Sequence, residues 1–146
     1  MKCDSLLAAT DQIFKHFEAR GQRAIRLATP LGLGKPNQLL NAVYLRVKND
    51  PTYKLDIYTA LSLDIPEAKN ELEERFLKPF LERQWGKDYP RLEYLKDLKQ
   101  NNMPPHINLH EFYFTAGSFK DTPYMQQKYL SINYANRKGI SNLMAY

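Results

Sequence analysis

The chain of 146 residues contains a single cysteine, Cys3, and three histidines that form no local helical pair. One thiol excludes an internal disulfide and a zinc site of clustered cysteines, and we predict no metal site. No apolar run approaches the roughly 20 residues that a membrane-spanning helix needs. The first residues, Met1–Asp4, do not have the basic and then apolar layout of a signal peptide. We therefore expect a cytoplasmic protein without a membrane partner.

The chain also has no basic block. Its net charge of +5 divides into +3 over residues 1–66, zero over 67–100 and +2 over 101–146. Nucleic-acid binding proteins concentrate Lys and Arg on one face or arm, so we expect no nucleic-acid partner. Hydrophobic residues make up 43% of the chain, which is enough to build a core. These observations predict one globular domain.

The most informative motif is a glycine-rich loop that follows a short apolar strand and contains Gly32, Gly34, Lys35 and Pro36. Glycine lets the backbone turn sharply and lets a ligand approach, and the helix that follows directs free N–H groups towards an anion or an acyl oxygen. Neither common nucleotide motif fits. Asn37 stands where the Rossmann fingerprint needs glycine, and Pro36 where the phosphate loop needs Ser or Thr.

A purely structural βα turn is the alternative interpretation of this loop. In that interpretation Gly34 adopts a positive φ, and Lys35 is as compatible with a solvated position as with a phosphate contact.

Hydrophobic periodicity predicts an alternation of helices and strands. We expect strands at 24–28, 55–61 and 107–114, and helices at 4–20 with Asp4 as N-cap, 36–49, 64–79, 92–101 and 123–130. The 64–79 helix is expected to begin with a capping box of Asp64 and Glu67, to bury Ala68, Leu72 and Phe76, and to be interrupted at Pro79. The β-α-β-α order predicts an α/β fold with a parallel sheet and flanking helices.

Two blocks of the sequence resemble the N-terminal domain of the acetyl-CoA hydrolase/CoA-transferase family. The first block, Arg26–Pro66, contains Ala28-Thr29-Pro30-Leu31-Gly32-Leu33-Gly34-Lys35-Pro36 and then Leu39-Leu40-Asn41-Ala42. The second block, His110–Phe119, is followed by Pro123, Gln126-Gln127, Tyr129 and Asn133-Tyr134. The resemblance covers the chain from about Arg23 to Tyr134, and residues 135–146 match less well.

The resemblance implies a longer enzyme with two similar α/β domains, whose nucleophilic glutamate lies in the second domain. That carboxylate attacks an acyl-CoA thioester, giving an acyl-glutamyl anhydride and then a glutamyl-CoA thioester. The resemblance therefore implies acyl-CoA and a small carboxylate as substrates, and no tightly bound cofactor. We expect residues 1–146 to be a single, incomplete CoA-transferase-like N-terminal domain that is inactive alone.

The resemblance also implies where substrate binds, and no catalytic residue is expected in this chain. The expected substrate-binding residues are Gly32, Gly34, Lys35, Pro36, Glu111, Gly117 and Ser118. His110 and Glu111 are neighbours on a predicted strand, so they point to opposite faces and do not form an acid–base pair. Glu111 has an alternative interpretation, in which it braces a neighbouring loop.

Three other functions are compatible with the sequence. In the first, the chain is an interaction fragment that self-associates or is completed by a second polypeptide. In the second, it is a non-enzymatic binding module for CoA or another acidic small molecule. In the third, it is a remnant with no present function. The Gly32–Gly34 loop is the binding feature in the second of these.

Overall fold

The computed structural model describes residues 5–66, 68, 70–86, 89–113, 121–128 and 143–144. Its four strands are β1 (Ala24–Leu31), β2 (Lys54–Ala60), β3 (Ile107–Glu111) and β4 (Leu143–Met144). They form one sheet in the order β3-β2-β1-β4, and every neighbouring pair is parallel. The predicted α/β fold with a parallel sheet and flanking helices is confirmed.

Five helices accompany the sheet in the described part of the chain. They are α1 (Leu6–Glu18), α2 (Asn37–Asn49), α3 (Glu71–Trp85), α4 (Glu93–Lys99) and α5 (Pro123–Lys128). None of these helices is long and apolar enough to cross a lipid bilayer.

The core lies between one face of the sheet and the helices α1, α2 and α4. Alternate strand residues point to the same face of a sheet, and the buried strand residues on the core face are Ile25, Leu27, Leu55, Ile57, Ile107 and Leu109. The helices pack Phe14, Phe17, Leu40, Val43, Tyr44, Val47, Tyr94, Leu95 and Leu98 against them. The register aligns Leu27 with Ile57 and Ile57 with Leu109, so the carboxyl ends of β1, β2 and β3 meet at one edge of the sheet.

Three predicted boundaries differ from the structure. Helix α1 is capped by Ser5, whose Oγ accepts a hydrogen bond from the Ala8 N–H at 3.1 Å, so Asp4 as N-cap was wrong. Strand β1 continues past Ala28 to Leu31, and the β1–β2 register shifts around Pro30, which has no N–H to donate. Strand β3 ends at Glu111, so Phe112 and Tyr113 lie beyond the strand that was predicted to include them, and residue 114 is outside those described.

Helix α3 differs most from its prediction. It begins at Glu71 with Asn70 as N-cap, and Asp64 instead binds the side chains of Arg91 and Lys99. The helix continues through Pro79, so the predicted interruption at that residue was wrong.

The predicted burial of α3 was also wrong. No residue of α3 is buried, and Leu72, Phe76 and Phe80 are 66%, 76% and 49% exposed. A cavity of about 610 Å³ separates the opposite side of the helix, at Leu77 and Leu81, from Ile65. Helix α3 therefore stands apart from the core.

Candidate functional site at the carboxyl edge of the sheet

The glycine-rich loop lies at a special position of the sheet. Strands β2 and β3 lie on one side of β1 and β4 lies on the other, so the order of the strands reverses at β1. In open parallel α/β sheets, ligands bind in the crevice outside the carboxyl ends of the strands at such a switch point. The loop Gly32–Lys35, which follows β1, therefore lies where this kind of sheet binds ligands.

The two glycines of this loop have different conformations. Gly32–Gly34 forms one 3-10 turn, in which Gly32 has a φ of +55°. That region of backbone space favours glycine. Gly34 has no positive φ, and a Cβ there would lie 3.4 Å from the Cβ of Pro30. The positive φ that the purely structural interpretation gave to Gly34 is therefore found at Gly32 instead.

Lys35 is buried and is bound by the protein itself. Only 6% of the residue is exposed, and its Nζ donates hydrogen bonds to the carbonyl oxygens of Ala60 and Leu61, the latter at 3.0 Å. Burial lowers the pKa of Lys35 to about 8, although the negative charge of Glu111 opposes this change. Of the two positions left open for Lys35, the solvated one is therefore excluded, and the ammonium group ties the loop after β1 to the end of β2.

Glu111 is the last residue of β3 and is completely buried. One carboxylate oxygen accepts a hydrogen bond from the Ser62 N–H at 2.7 Å, and the other accepts one from the Ser62 Oγ at 2.6 Å. The pKa of Glu111 is raised by burial. The two hydrogen bonds from Ser62 and the positive charge of Lys35 oppose this rise in part. Glu111 therefore braces the loop after β2, as the alternative interpretation expected.

Four polar residues that the sequence analysis missed complete this cluster. The Tyr94 hydroxyl from α4 lies 2.5 Å from the Ser62 Oγ, and the Thr29 hydroxyl donates to that of Thr59 at 2.8 Å. Burial raises the pKa of Tyr94, and the Thr59 side chain also hydrogen-bonds to it. Thr29, Thr59 and Ser62 lie at or just beyond the ends of β1 and β2, and this position is the sequence signal that would have identified them.

The beginning of α2 lies beside this cluster. Pro36 is the N-cap residue, and no side chain caps the helix within the part of the chain that the structure describes. A cavity of about 300 Å³ lies here, lined by Leu6, Lys35, Pro36, Asn37, Gln38, Leu39, Tyr89 and Pro90. The Asn37 N–H donates to the Lys35 carbonyl at 2.9 Å, and the N–H groups of the next two residues of α2 attract negative charge, so the start of α2 is suited to an anionic or acyl oxygen.

Asn37 closes one side of the cavity. Its Nδ2 donates hydrogen bonds to the Tyr89 hydroxyl at 3.0 Å and to the Pro90 carbonyl at 2.9 Å. Its buried Oδ1 has no hydrogen-bond partner among the described residues. Asn37 therefore attaches the start of α2 to the segment that precedes α4.

His110 lies apart from the cluster. It points to the opposite face of the sheet from Glu111, as the strand periodicity predicted, and its ring stacks on that of Tyr58 at a centroid distance of 4.6 Å. Its Nε2 lies 3.4 Å from the Asp56 Oδ1, which also accepts a hydrogen bond from Asn108. His110 and Glu111 therefore do not act on one substrate atom.

The structure places five of the seven expected substrate-binding residues at the carboxyl edge. Gly32, Gly34, Lys35 and Pro36 form the loop after β1, and Glu111 ends β3 two strands away. The other two, Gly117 and Ser118, lie outside the described residues. Of the five, the side chains of Lys35 and Glu111 hydrogen-bond within the protein, and the remaining three belong to the glycine turn and the residue that precedes α2.

No family model matches this chain, and neither a curated protein nor a solved structure shows significant similarity to it.

Proposed function

We propose that this chain binds an acyl-CoA thioester at the carboxyl edge of its sheet, as the N-terminal portion of an acetyl-CoA hydrolase/CoA-transferase-like enzyme. Two lines of support lead to this proposal. Arg26–Pro66 and His110–Phe119 resemble that family in sequence, and the resemblance implies a parallel α/β domain of the kind described above. The single observation that carries the proposal is the glycine turn at the switch point, followed directly by the uncapped start of α2.

The chemistry of a thioester fits the donors at this position. When a nucleophile attacks the thioester carbonyl, negative charge develops on its oxygen, and preorganised N–H groups stabilise that charge. The start of α2 offers such groups, and the turn before it carries no side chain at Gly32 or Gly34. The same N–H groups suit a CoA phosphate, which also carries negative charge.

The described residues at this edge do not supply the nucleophile in this proposal. Both oxygens of the Glu111 carboxylate accept hydrogen bonds from Ser62, and the residue has no exposed surface. A carboxylate in that position does not reach a thioester in the crevice. We therefore propose that the attacking glutamate comes from another domain or from a second polypeptide, and that the described chain turns over no substrate alone.

Equilibrium binding tests the proposal. CoA and acetyl-CoA are titrated into the purified chain by calorimetry, and free thiol is assayed in the same samples. We expect both ligands to bind and no thiol release above a buffer blank. Absence of binding at millimolar ligand would refute the proposal. Thiol release that disappears in Glu111→Gln would show that the nucleophile lies in this chain.

A binding module for small anions is the second candidate, because an uncapped helix start attracts any anion. Inorganic phosphate and pyrophosphate, titrated under the same conditions, distinguish the two functions. Pyrophosphate that binds as tightly as CoA favours the anion module, whereas CoA that binds much more tightly favours the acyl-CoA site.

A further inference from the structure

The buried pair of Lys35 and Glu111 has no ligand-binding role in the function proposed above. The ammonium group of Lys35 is directed to the Ala60 and Leu61 carbonyls, and the carboxylate of Glu111 to Ser62. Burial of each charge costs free energy, and because Lys35 donates to backbone carbonyls and Glu111 accepts from Ser62, the attraction between the two charges returns only part of that cost. Stability of the fold is therefore a weak reason for these two residues to be charged.

The two residues instead join three loops. Lys35 follows β1 and binds the end of β2, and Glu111 ends β3 and binds the loop after β2. The two sets of hydrogen bonds meet on consecutive residues, because Lys35 binds Ala60 and Leu61 and Glu111 binds Ser62. The loops after β1 and β2 and the end of β3 are thus fixed relative to one another by these two side chains.

The segment on which they converge is strained. Leu61 has a φ of +47°, which is rare for a residue with a branched side chain, and its N–H donates a hydrogen bond to the Tyr113 carbonyl. Strained backbone of this kind persists only where the surrounding structure holds it, and it occurs often at ligand sites. Leu61 also lies beside the glycine turn, because a Cβ on Gly32 would be 3.7 Å from its Cδ2.

We propose that Lys35 and Glu111 are positioning residues, which together hold the Gly32–Lys35 loop and the strained Leu61–Ser62 segment in the arrangement that presents the start of α2 to a ligand. The ligand in this inference rests on the function proposed above, whereas the loop-holding role does not depend on it. Neither side chain touches the ligand.

A double variant with a matched control tests the inference. Lys35→Met/Glu111→Gln removes both charges and keeps similar side-chain volumes. Lys48→Met/Asp97→Asn also removes one lysine and one carboxylate, which form a salt bridge with an Nζ–Oδ2 distance of 2.6 Å that joins α2 to α4 away from the carboxyl edge. Thermal unfolding, hydrogen–deuterium exchange of peptides covering residues 31–36 and 60–64, and the Kd for CoA are measured for both variants and for the wild type.

We expect the double variant to stay folded with an unfolding temperature near that of the wild type, because removal of two buried charges offsets the lost hydrogen bonds to the Ala60 and Leu61 carbonyls. Exchange in 31–36 and 60–64 should be about tenfold faster or more, because local opening of these loops becomes easier. The Kd for CoA should rise about tenfold, since fewer molecules hold the loops in the binding arrangement. The control variant should change neither loop exchange nor the Kd.

The exchange measurement needs no ligand, so it separates the two proposals. If exchange is faster in the double variant and the wild type does not bind CoA, the positioning role is supported and the proposed function is refuted. Unchanged exchange overturns the positioning role, including the case in which the Kd still rises, because a direct ligand contact would then explain it.

A double variant that does not fold also counts against the inference, because the pair would then be required for stability. Ser62→Ala provides an independent variant in that case, since it removes one of the two Glu111 hydrogen bonds and keeps both charges. Exchange in 60–64 should then rise while the chain stays folded, and exchange at the wild-type rate would again overturn the positioning role.

Discussion

Gly32 and Leu61 lie side by side at the carboxyl edge, and both have a positive φ, +55° and +47° respectively. Each is the first residue after its strand, Gly32 after β1 and Leu61 after β2. Two adjacent loops therefore leave the sheet through left-handed backbone, and only one of them uses glycine to do so.

Substitution of the two loop glycines should have unequal effects on stability. Gly32→Ala should lower the free energy of unfolding by about 1 kcal/mol or more, because alanine is strained at a φ of +55°. Gly34→Ala should cost less, because Gly34 has no positive φ and the new Cβ would lie 3.4 Å from the Cβ of Pro30. Chemical denaturation of both variants measures this difference. Equal losses would contradict the conformations assigned to the two glycines.

Gly34→Ala also tests the binding site, since we expect its stability to change little. If a ligand approaches the backbone at Gly34, the Kd for CoA should rise in this variant while the folded fraction stays constant. Gly21→Ala is the control for strain away from the site: its φ of +65° means that this variant should lose stability and keep the wild-type Kd. A wild-type Kd in Gly34→Ala would remove Gly34 from the site.

Deletion of the Ser62 hydroxyl should destabilise the fold. Ser62→Ala leaves the buried Glu111 carboxylate with one hydrogen bond fewer and removes one of the partners of the Tyr94 hydroxyl. We expect a loss of about 1–3 kcal/mol in the free energy of unfolding, the usual cost of unsatisfied buried polar groups. Thr52→Ala, which removes an exposed hydroxyl bound to Asp50, should have little effect. Equal effects of the two variants would show that the Ser62–Glu111 contact contributes nothing.

The lowered pKa of Lys35 predicts how stability depends on pH. The pKa is about 8 in the folded protein, against 10.5 for an ordinary lysine. Between these two values the unfolded chain binds more protons than the folded one, so the contribution of Lys35 to the free energy of unfolding rises with pH. Over this whole pH range the contribution of Lys35 to the free energy of unfolding changes by about 3 kcal/mol. Below pH 8 the buried ammonium group of Lys35 is protonated and destabilises the folded state.

The variant Lys35→Met isolates this contribution. Denaturant unfolding of the wild type and of Lys35→Met is measured at pH 7, 8, 9 and 10. The wild type should gain stability relative to the variant as the pH rises above 8. A difference in stability that is constant over this range would mean that Lys35 is not buried as a charged group.

Because the apolar side chains of α3 are exposed, we expect substitutions on this helix to have little effect on stability. Phe76→Asp should change the free energy of unfolding by no more than about 0.5 kcal/mol, since Phe76 is 76% exposed. Phe14→Ala, at a completely buried position, should cost about 3–5 kcal/mol. Thermal or chemical unfolding compares the two. A large loss in Phe76→Asp would show that α3 packs on another surface in solution.

The local pattern of apolar residues in the sequence was sufficient to predict the order of the helices and strands. Apolar spacing predicted five helices and the first three strands in their observed order, and Pro36 marked the start of α2. Strand periodicity also predicted that His110 and Glu111 face opposite ways. These properties depend on residues that are close in the sequence, because helix and strand periods act within a few residues.

The sequence by itself determined the parallel α/β fold and placed the glycine loop between β1 and α2. Only the tertiary structure decided which groups at the carboxyl edge are available to a ligand. Glu111 and Ser62 are 49 residues apart, and Lys35 and Ala60 are 25 apart, so no local period relates them. The burial of Lys35, the bracing by Glu111 and the exposure of α3 are consequences of how distant segments pack, and burial then changes the pKa of each charged group at this edge.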